Sequence, residues 1–172
     1  MRRIMKITIR VALAAMVAVS VCCTHLQAQL REPFTFRGVT PGTTTEKQLL
    51  AHPRWGQPVK RSFNGPATLL EYKFDHWTQV SVELIDGTLN KIDATPPEGA
   101  DPKDLAAALQ LGELIATKNL GGGHFLDGKE MPSQWKVLTS SAGLADVGVA
   151  EADGRSTVRF VRFWSMVSRK LG

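Results

Sequence analysis

Four sets of residues in this 172-residue chain could do chemistry by type and spacing. Pro41-Gly42-Thr43-Thr44-Thr45 with Lys47 has the outline of a loop that grips a phosphate and opens a helix. Such a loop needs a second glycine, a lysine directly after it and a parallel βαβ setting. The second glycine and the setting are missing, so the threonines read instead as caps. Thr45-x-x-Gln48 and Thr43-x-x-Glu46 both match a capping box on a short helix carrying Leu49 and Leu50 and ended by Pro53. Ser133 and Lys136 have the S-x-x-K spacing of a serine nucleophile with a lysine one helical turn later. Here Trp135, Val137 and Thr139 alternate with Lys136 and Leu138 as in a strand, where positions 133 and 136 face opposite sides. Glu71, Asp75 and Glu83 could face one another on neighbouring strands, but they lie opposite an apolar row, where solvated charge is the ordinary occupant. Of His52, His76 and His124, no two stand at the i, i+4 spacing that brings imidazoles to one metal, and His124-x-x-Asp127 falls in a glycine loop. No G-x-S-x-G elbow occurs. No catalytic residue, metal or cofactor is expected.

The elements that would position these residues begin after a leader. Arg2, Arg3, Lys6 and Arg10 precede an apolar run from Val11 to Cys23 that is short against the roughly 20 residues a membrane span needs. Basic head, short apolar core and small residues near Ala28 predict a secretory signal peptide over 1–28. Those four cations belong to the 21 Lys and Arg of the chain; without them 17 stand against 16 Asp and Glu, so the net charge falls from +5 to +1. The basic pI therefore gives no argument for nucleic-acid binding. Cys22 and Cys23 leave with the leader, and the remaining domain has no thiol for a disulfide, metal or nucleophile. Neither cysteine follows a small lipobox residue, so a lipid anchor is not expected. The expected location is periplasmic or secreted, with no transmembrane segment after the leader is removed.

Residues 29–172 read as a single α+β domain: an antiparallel sheet with short helices packed on one face. Phe34, Phe36 and Gly38 alternate as in an extended segment. Leu70, Tyr72 and Phe74 alternate with Glu71, Lys73 and Asp75, and Val80, Val82 and Leu84 with Ser81 and Glu83, the period of half-buried strands. Asp86-Gly87 is a hairpin turn, and "TLNKIDA" returns as a third strand. Asp101 and Pro102 have the cap and first-turn chemistry of a second helix that Gly112 can end. "QWKVLTS", "LADVGVAEADG" and "RSTVRFVRFW" read as strands, the last running to about Phe163; Phe160, Trp164 and Val167 also fit a helical stripe. Val80, Val82, Asp86 and Gly87 recur as Val147, Val149, Asp153 and Gly154, each 67 residues on. That echo predicts a tandem duplication with repeats at 33–97 and 98–172.

The stretch Gly42-x-Thr44 opening a short helix, then Trp55-Gly56-Gln57-Pro58, then a meander with an Asp-Gly hairpin, resembles the SmpA/OmlA-type outer-membrane assembly lipoproteins, whose pattern is G-x-[ST], a short helix and L-G-x-P. That family is similar in fold to the β-lactamase-inhibitor-protein group, in which two such repeats form one sheet, and the opening also resembles exported bacterial domains of unknown function. The likeness covers about 60 residues of the first half and implies a non-catalytic binding module.

Aromatic side chains bury large area with few rotatable bonds and so make good anchors. Trp77, His76, Tyr72 and Trp135 are the expected partner-contact residues, with Trp77 at the head of the set. The expected function is exported binding or inhibition of another envelope or extracellular protein through a sheet face. The alternatives are a cell-envelope assembly component and a small hydrolase.

Overall fold

Alternating segments and tight turns build almost all of the architecture. The computed structural model describes residues 33–117 and 135–166. The leader with Cys22 and Cys23, the loop with His124, Asp127 and Ser133, and the tail beyond 166 lie outside the described residues. Strands β1 (Lys60–Asn64), β2 (Ala67–Phe74), β3 (Trp77–Ile85) and β4 (Thr88–Thr95) form one meander after helix α1 (Glu46–Leu50). Strands β5 (Leu114–Ala116), β6 (Lys136–Ser140), β7 (Ala145–Ala152) and β8 (Arg155–Trp164) form a second after helix α2 (Pro102–Ala108). They join in one eight-stranded sheet ordered β1-β2-β3-β4-β8-β7-β6-β5, antiparallel throughout.

The two Asp-Gly turns form as their chemistry requires. Asp86 and Gly87 have φ of 49° and 71°, Asp153 and Gly154 of 52° and 72°, the paired positive values of a type I′ hairpin. At the seam between the meanders Ala94 is the direct partner of Val161. These two residues are also 67 apart, the spacing of the two turns.

Two local expectations need correction. Phe34 to Gly38 is not an extended run: Arg37 (φ 51°) and Gly38 (φ 86°) make a tight turn that pairs Phe36 with Val39. The turn sends both side chains into the core, at 3% and 1% exposure. A Cβ on Gly38 would also stand 2.7 Å from His52 Nε2. Helix α2 ends before Gly112, because Gln110 takes the left-handed position (φ 55°). The Leu111 amide then returns to the Ala106 carbonyl at 2.9 Å, and Leu111 is fully buried. Strands β1 and β5, both at sheet edges, had no clear alternation to announce them.

The threonine loop is sewn to a hairpin. The Gly42 amide donates to the Leu89 carbonyl (2.6 Å), the Leu89 amide to Thr44 O (2.8 Å) and the Glu46 amide to Gly87 O (2.8 Å). Amides that would face a phosphate are thus committed to backbone. Thr45 and Gln48 form the capping box, while Glu46 pairs with Arg61 at 2.7 Å.

The main core lies on one face, and a small second cluster of Val137, Phe160 and Trp135 lies on the other. Leu70, Val80, Val82, Leu84, Ile92 and Val161 supply the main core from the central strands, and Leu49, Trp55 and Phe36 from the connections. Each fully buried aliphatic side chain there is worth about 1.5–3 kcal/mol. Phe36 is the hub of the aromatic packing in this core: it stacks on Phe163 at 5.0 Å and meets Trp55 and Trp77 edge-on.

Candidate protein-binding face

The side chains that alternate with the core face form a continuous transverse row. Register pairs Lys60 with Glu71, Glu71 with Ser81, Ser81 with Asp93, Asp93 with Arg162, Arg162 with Asp146, Asp146 with Thr139 and Thr139 with Ile115. Directly opposed residues share a face, so one rib of mainly polar side chains crosses all eight strands.

Its centre is an ion pair at the seam. Arg162 Nε and Nη2 donate to Asp93 Oδ1 and Oδ2, each at 2.6 Å, and the two side chains are 8% and 9% exposed. The fork-on-fork geometry is the strong form of this contact. Beside it, Asp146 accepts from Thr139 Oγ1 (2.9 Å) and Trp164 Nε1 (2.7 Å). The guanidinium lies 5.2 Å from the Trp164 ring and 5.4 Å from Phe160. Burial works against the charge of Arg162, but the hydrogen bonds and charge of Asp93, with Asp146 and Glu83 behind it, raise its pKa above the ordinary arginine value.

A second row lies next to this one. Glu83 accepts from Asn90 Nδ2 at 2.6 Å and stands 3.7 Å from Lys91 Nζ, which sits 5.3 Å from the Trp164 ring. Burial lowers the Lys91 pKa; Glu83 opposes that shift and Arg162 adds to it. Further along β8, Phe160 covers Gly148, where a Cβ would overlap the ring. This half of the face is rigid because each charge is fixed by partners on neighbouring strands. Towards the β1 edge the same face carries the exposed Lys60 and Gln79 and the half-buried Ser62, Leu69 and Glu71.

The four expected contact residues do not meet. Tyr72 is 1% exposed, on the core side, edge-on to Trp55 and stacked on Phe74. Its hydroxyl has no hydrogen-bond partner among the described residues. Burial first, and Glu46 second, push its pKa up to about 12. Tyr72 is a core residue, because its ring continues the row of Leu70. Trp77 is half-buried against Phe36 and the core. Trp135 packs on Phe160, on the opposite side of the sheet from Tyr72. His76 is exposed in the β2–β3 turn, at φ 68°.

The candidate chemistry of the sequence is dispersed as well. Lys136 pairs with Glu151 at 2.7 Å, Glu71 with Lys60 at 2.8 Å and Glu83 with Lys91 at 3.7 Å, so Glu71 and Glu83 each face a cation rather than one another, while Asp75 is exposed in the turn after β2. Among the described residues no three His, Cys, Asp or Glu converge as a metal set, and no helix is long and apolar enough to cross a membrane. The Asp93–Arg162–Asp146 cluster escaped sequence reasoning. Its signal was present: charges of opposite sign stand between apolar neighbours in Ile92-Asp93-Ala94 and Val161-Arg162-Phe163.

No protein family matches the chain, and no curated protein matches it. Among solved structures, a cysteine-rich secretory protein from Staphylococcus aureus is similar at 15% identity and a TM-score of 0.45, over 82% of this chain and 48% of that protein's length.

Proposed function

We propose that this chain is an exported, non-catalytic module that binds another envelope or extracellular protein through the polar face of its sheet. We read the module as a duplicated helix-plus-four-strand unit. The observation that carries the binding reading is the pre-ordered cluster of Trp164, Lys91, Glu83, Arg162 and Asp93 beside the more open stretch of Ser62, Leu69 and Gln79. Binding energy concentrates in Trp, Tyr and Arg held in fixed positions, with polar groups around them. A twisted sheet holds such groups at little further cost in side-chain freedom. The duplication reading is supported by the two helix-then-meander halves, the turns at Asp86-Gly87 and Asp153-Gly154, and the Ala94–Val161 pairing.

The test is site-specific photo-cross-linking in cells, with the probe amino acid at Ser62 or Gln79 on the polar face and at Gln48 on α1. The expected result is one defined adduct from the first two positions and none from the third, weakened by Glu83→Lys. Equal adducts from both faces, or none, refute the reading. An adduct with subunits of an envelope-assembly machine would select the assembly role that the Gly42/Thr44 and Trp55-Gly56-Gln57-Pro58 likeness implies.

A further inference from the structure

We propose that the free edge of β1 is a self-association surface. A second copy of this chain pairs with it antiparallel, Ser62 opposite Ser62, and joins the two sheets edge to edge. This surface is separate from the polar face.

Strand β1 ends the sheet order, and no described strand lies beyond it. Two observations fix which of its backbone groups are free. The Val59 amide donates to Glu71 O at 2.8 Å, so the backbone of Glu71 faces β1, and Lys60, its register partner, faces inwards. At the other end Asn64 and Ala67 flank the two-residue Gly65-Pro66 turn, with Gly65 at φ 56°. The pair flanking such a turn exchanges both backbone bonds. Inward and outward residues alternate, so Lys60, Ser62 and Asn64 bond to β2, while Arg61 and Phe63 turn N–H and C=O to the outside. These outward groups have no partner among the described residues.

An open edge is ordinarily guarded by charge. Here both cations of β1 are neutralised within the chain: Lys60 pairs with Glu71 at 2.8 Å and Arg61 with Glu46 at 2.7 Å. What the edge leaves exposed is apolar. Phe63 is 72% and Val59 59% exposed, the two highest values among the large hydrophobic side chains described.

The edge is complementary to itself about Ser62. In that register Arg61 lies opposite the second copy's Phe63, and Phe63 opposite its Arg61. All four residues are outward, so each pair exchanges two backbone bonds, four in all. Directly opposed side chains share a face, so each guanidinium meets the other copy's phenyl ring. Arg61 already makes this kind of contact within the chain, 5.6 Å from its own Phe63 ring, and cation and ring attract one another. Lys60 falls opposite Asn64. Pro58 and Pro66, which have no N–H to offer, fall opposite each other at both ends. The neighbouring symmetric registers are worse. With Arg61 opposite Arg61, like charges are directly opposed. With Phe63 opposite Phe63, Arg61 meets the turn at Gly65, and only the Phe63 pair exchanges bonds between strands. Pairing in the plane of the sheet keeps both polar faces on the same side.

The test uses the full chain, produced with its leader so that export and processing take their own course. Sedimentation velocity up to about 200 µM should show a monomer–dimer equilibrium. Phe63→Lys sets a cation against the opposed Arg61 from an exposed position. It should weaken the dimer at least about ten-fold while leaving the far-UV circular dichroism unchanged. Ser62→Cys puts two thiols at the centre of the register, with Cα atoms about 4.5 Å apart, within the span of a disulfide. Residues 29–172 hold no other cysteine. Mild oxidation should therefore link Ser62→Cys into a covalent dimer. Asn64→Cys should stay unlinked, because the two copies of position 64 stand four residues, about 13 Å, apart along the edge. A chain that stays monomeric throughout, a dimer that tolerates Phe63→Lys, or one in which Asn64→Cys links as readily as Ser62→Cys overturns the proposal.

Discussion

Asp93→Ala removes one half of the ion pair at the seam, and its cost can be worked from the geometry. Arg162 loses two hydrogen bonds of 2.6 Å in a site where its side chain is 8% exposed, so water cannot replace them freely. Its other nearby carboxylate, Asp146, already serves Thr139 and Trp164. Breaking a pair of this kind from one side costs about 3–5 kcal/mol. Arg162→Met should cost a similar amount, since it leaves Asp93 and Asp146 flanking a neutral strand. The double variant leaves no unpaired partner of this bond, so it should cost less than the two single changes added together. A coupling of about 2–4 kcal/mol is expected from the cycle. Urea unfolding measures all three variants, and each single change should lower the melting temperature by about 10 °C. The coupling should persist in 0.5 M salt, because a buried pair is screened little. A coupling below about 0.5 kcal/mol, the range of exposed pairs, would refute the claim that the fork is desolvated.

Tyr72→Phe should stabilise the fold by about 1 kcal/mol at neutral pH, since it deletes a buried hydroxyl that lacks a partner. It should also flatten the alkaline limb: in the native state Tyr72 holds its proton to about pH 12, against 10 when unfolded. The native state then binds more protons, so wild-type stability falls as pH rises from 10 to 12, by at most about 3 kcal/mol; denaturant titrations at stepped pH read this. Gly148→Ala should cost about 1–3 kcal/mol by driving a methyl into the Phe160 ring, and Phe160→Leu in the same chain should recover part of it, as thermal melts will show. Thr45→Ala should cost about 1 kcal/mol through loss of the α1 cap, measured by urea unfolding.

Where local chemistry decides conformation, the sequence was a good guide. The Thr45/Gln48 box, the Asp101-Pro102 helix start and the Asp-Gly turns each rest on a few adjacent residues, and each forms. Strands with clean alternation, such as Val80 to Leu84, were legible for the same reason. Short edge strands were not: β1 shows Phe63 72% exposed, so burial had imposed little pattern on it. Tyr72 shows that an aromatic on an apolar row is a core residue before it is an anchor. The two halves of the Asp93–Arg162 cluster each left a local mark in the sequence, but their pairing did not. The partners are 69 residues apart, and only the β4–β8 pairing makes them neighbours. Charge on the side opposite the core looks solvated until the strand order is known.

That pairing also sets how the halves choose one another. Ala94 and Val161 occupy matching places in the two meanders and lie face to face. A fragment ending near residue 97 would offer β4 as a bare edge, and a second copy could dock on it with Ala94 opposite Ala94. In that arrangement Asp93 would face Thr95, not a cation, and its carboxylate would be left in a desolvated row. The salt bridge thus acts as an assembly key that favours union within one chain over exchange between copies. Sedimentation of the fragment with Asp93 intact, and with Asp93→Ala, reads the difference: the variant should self-associate more strongly.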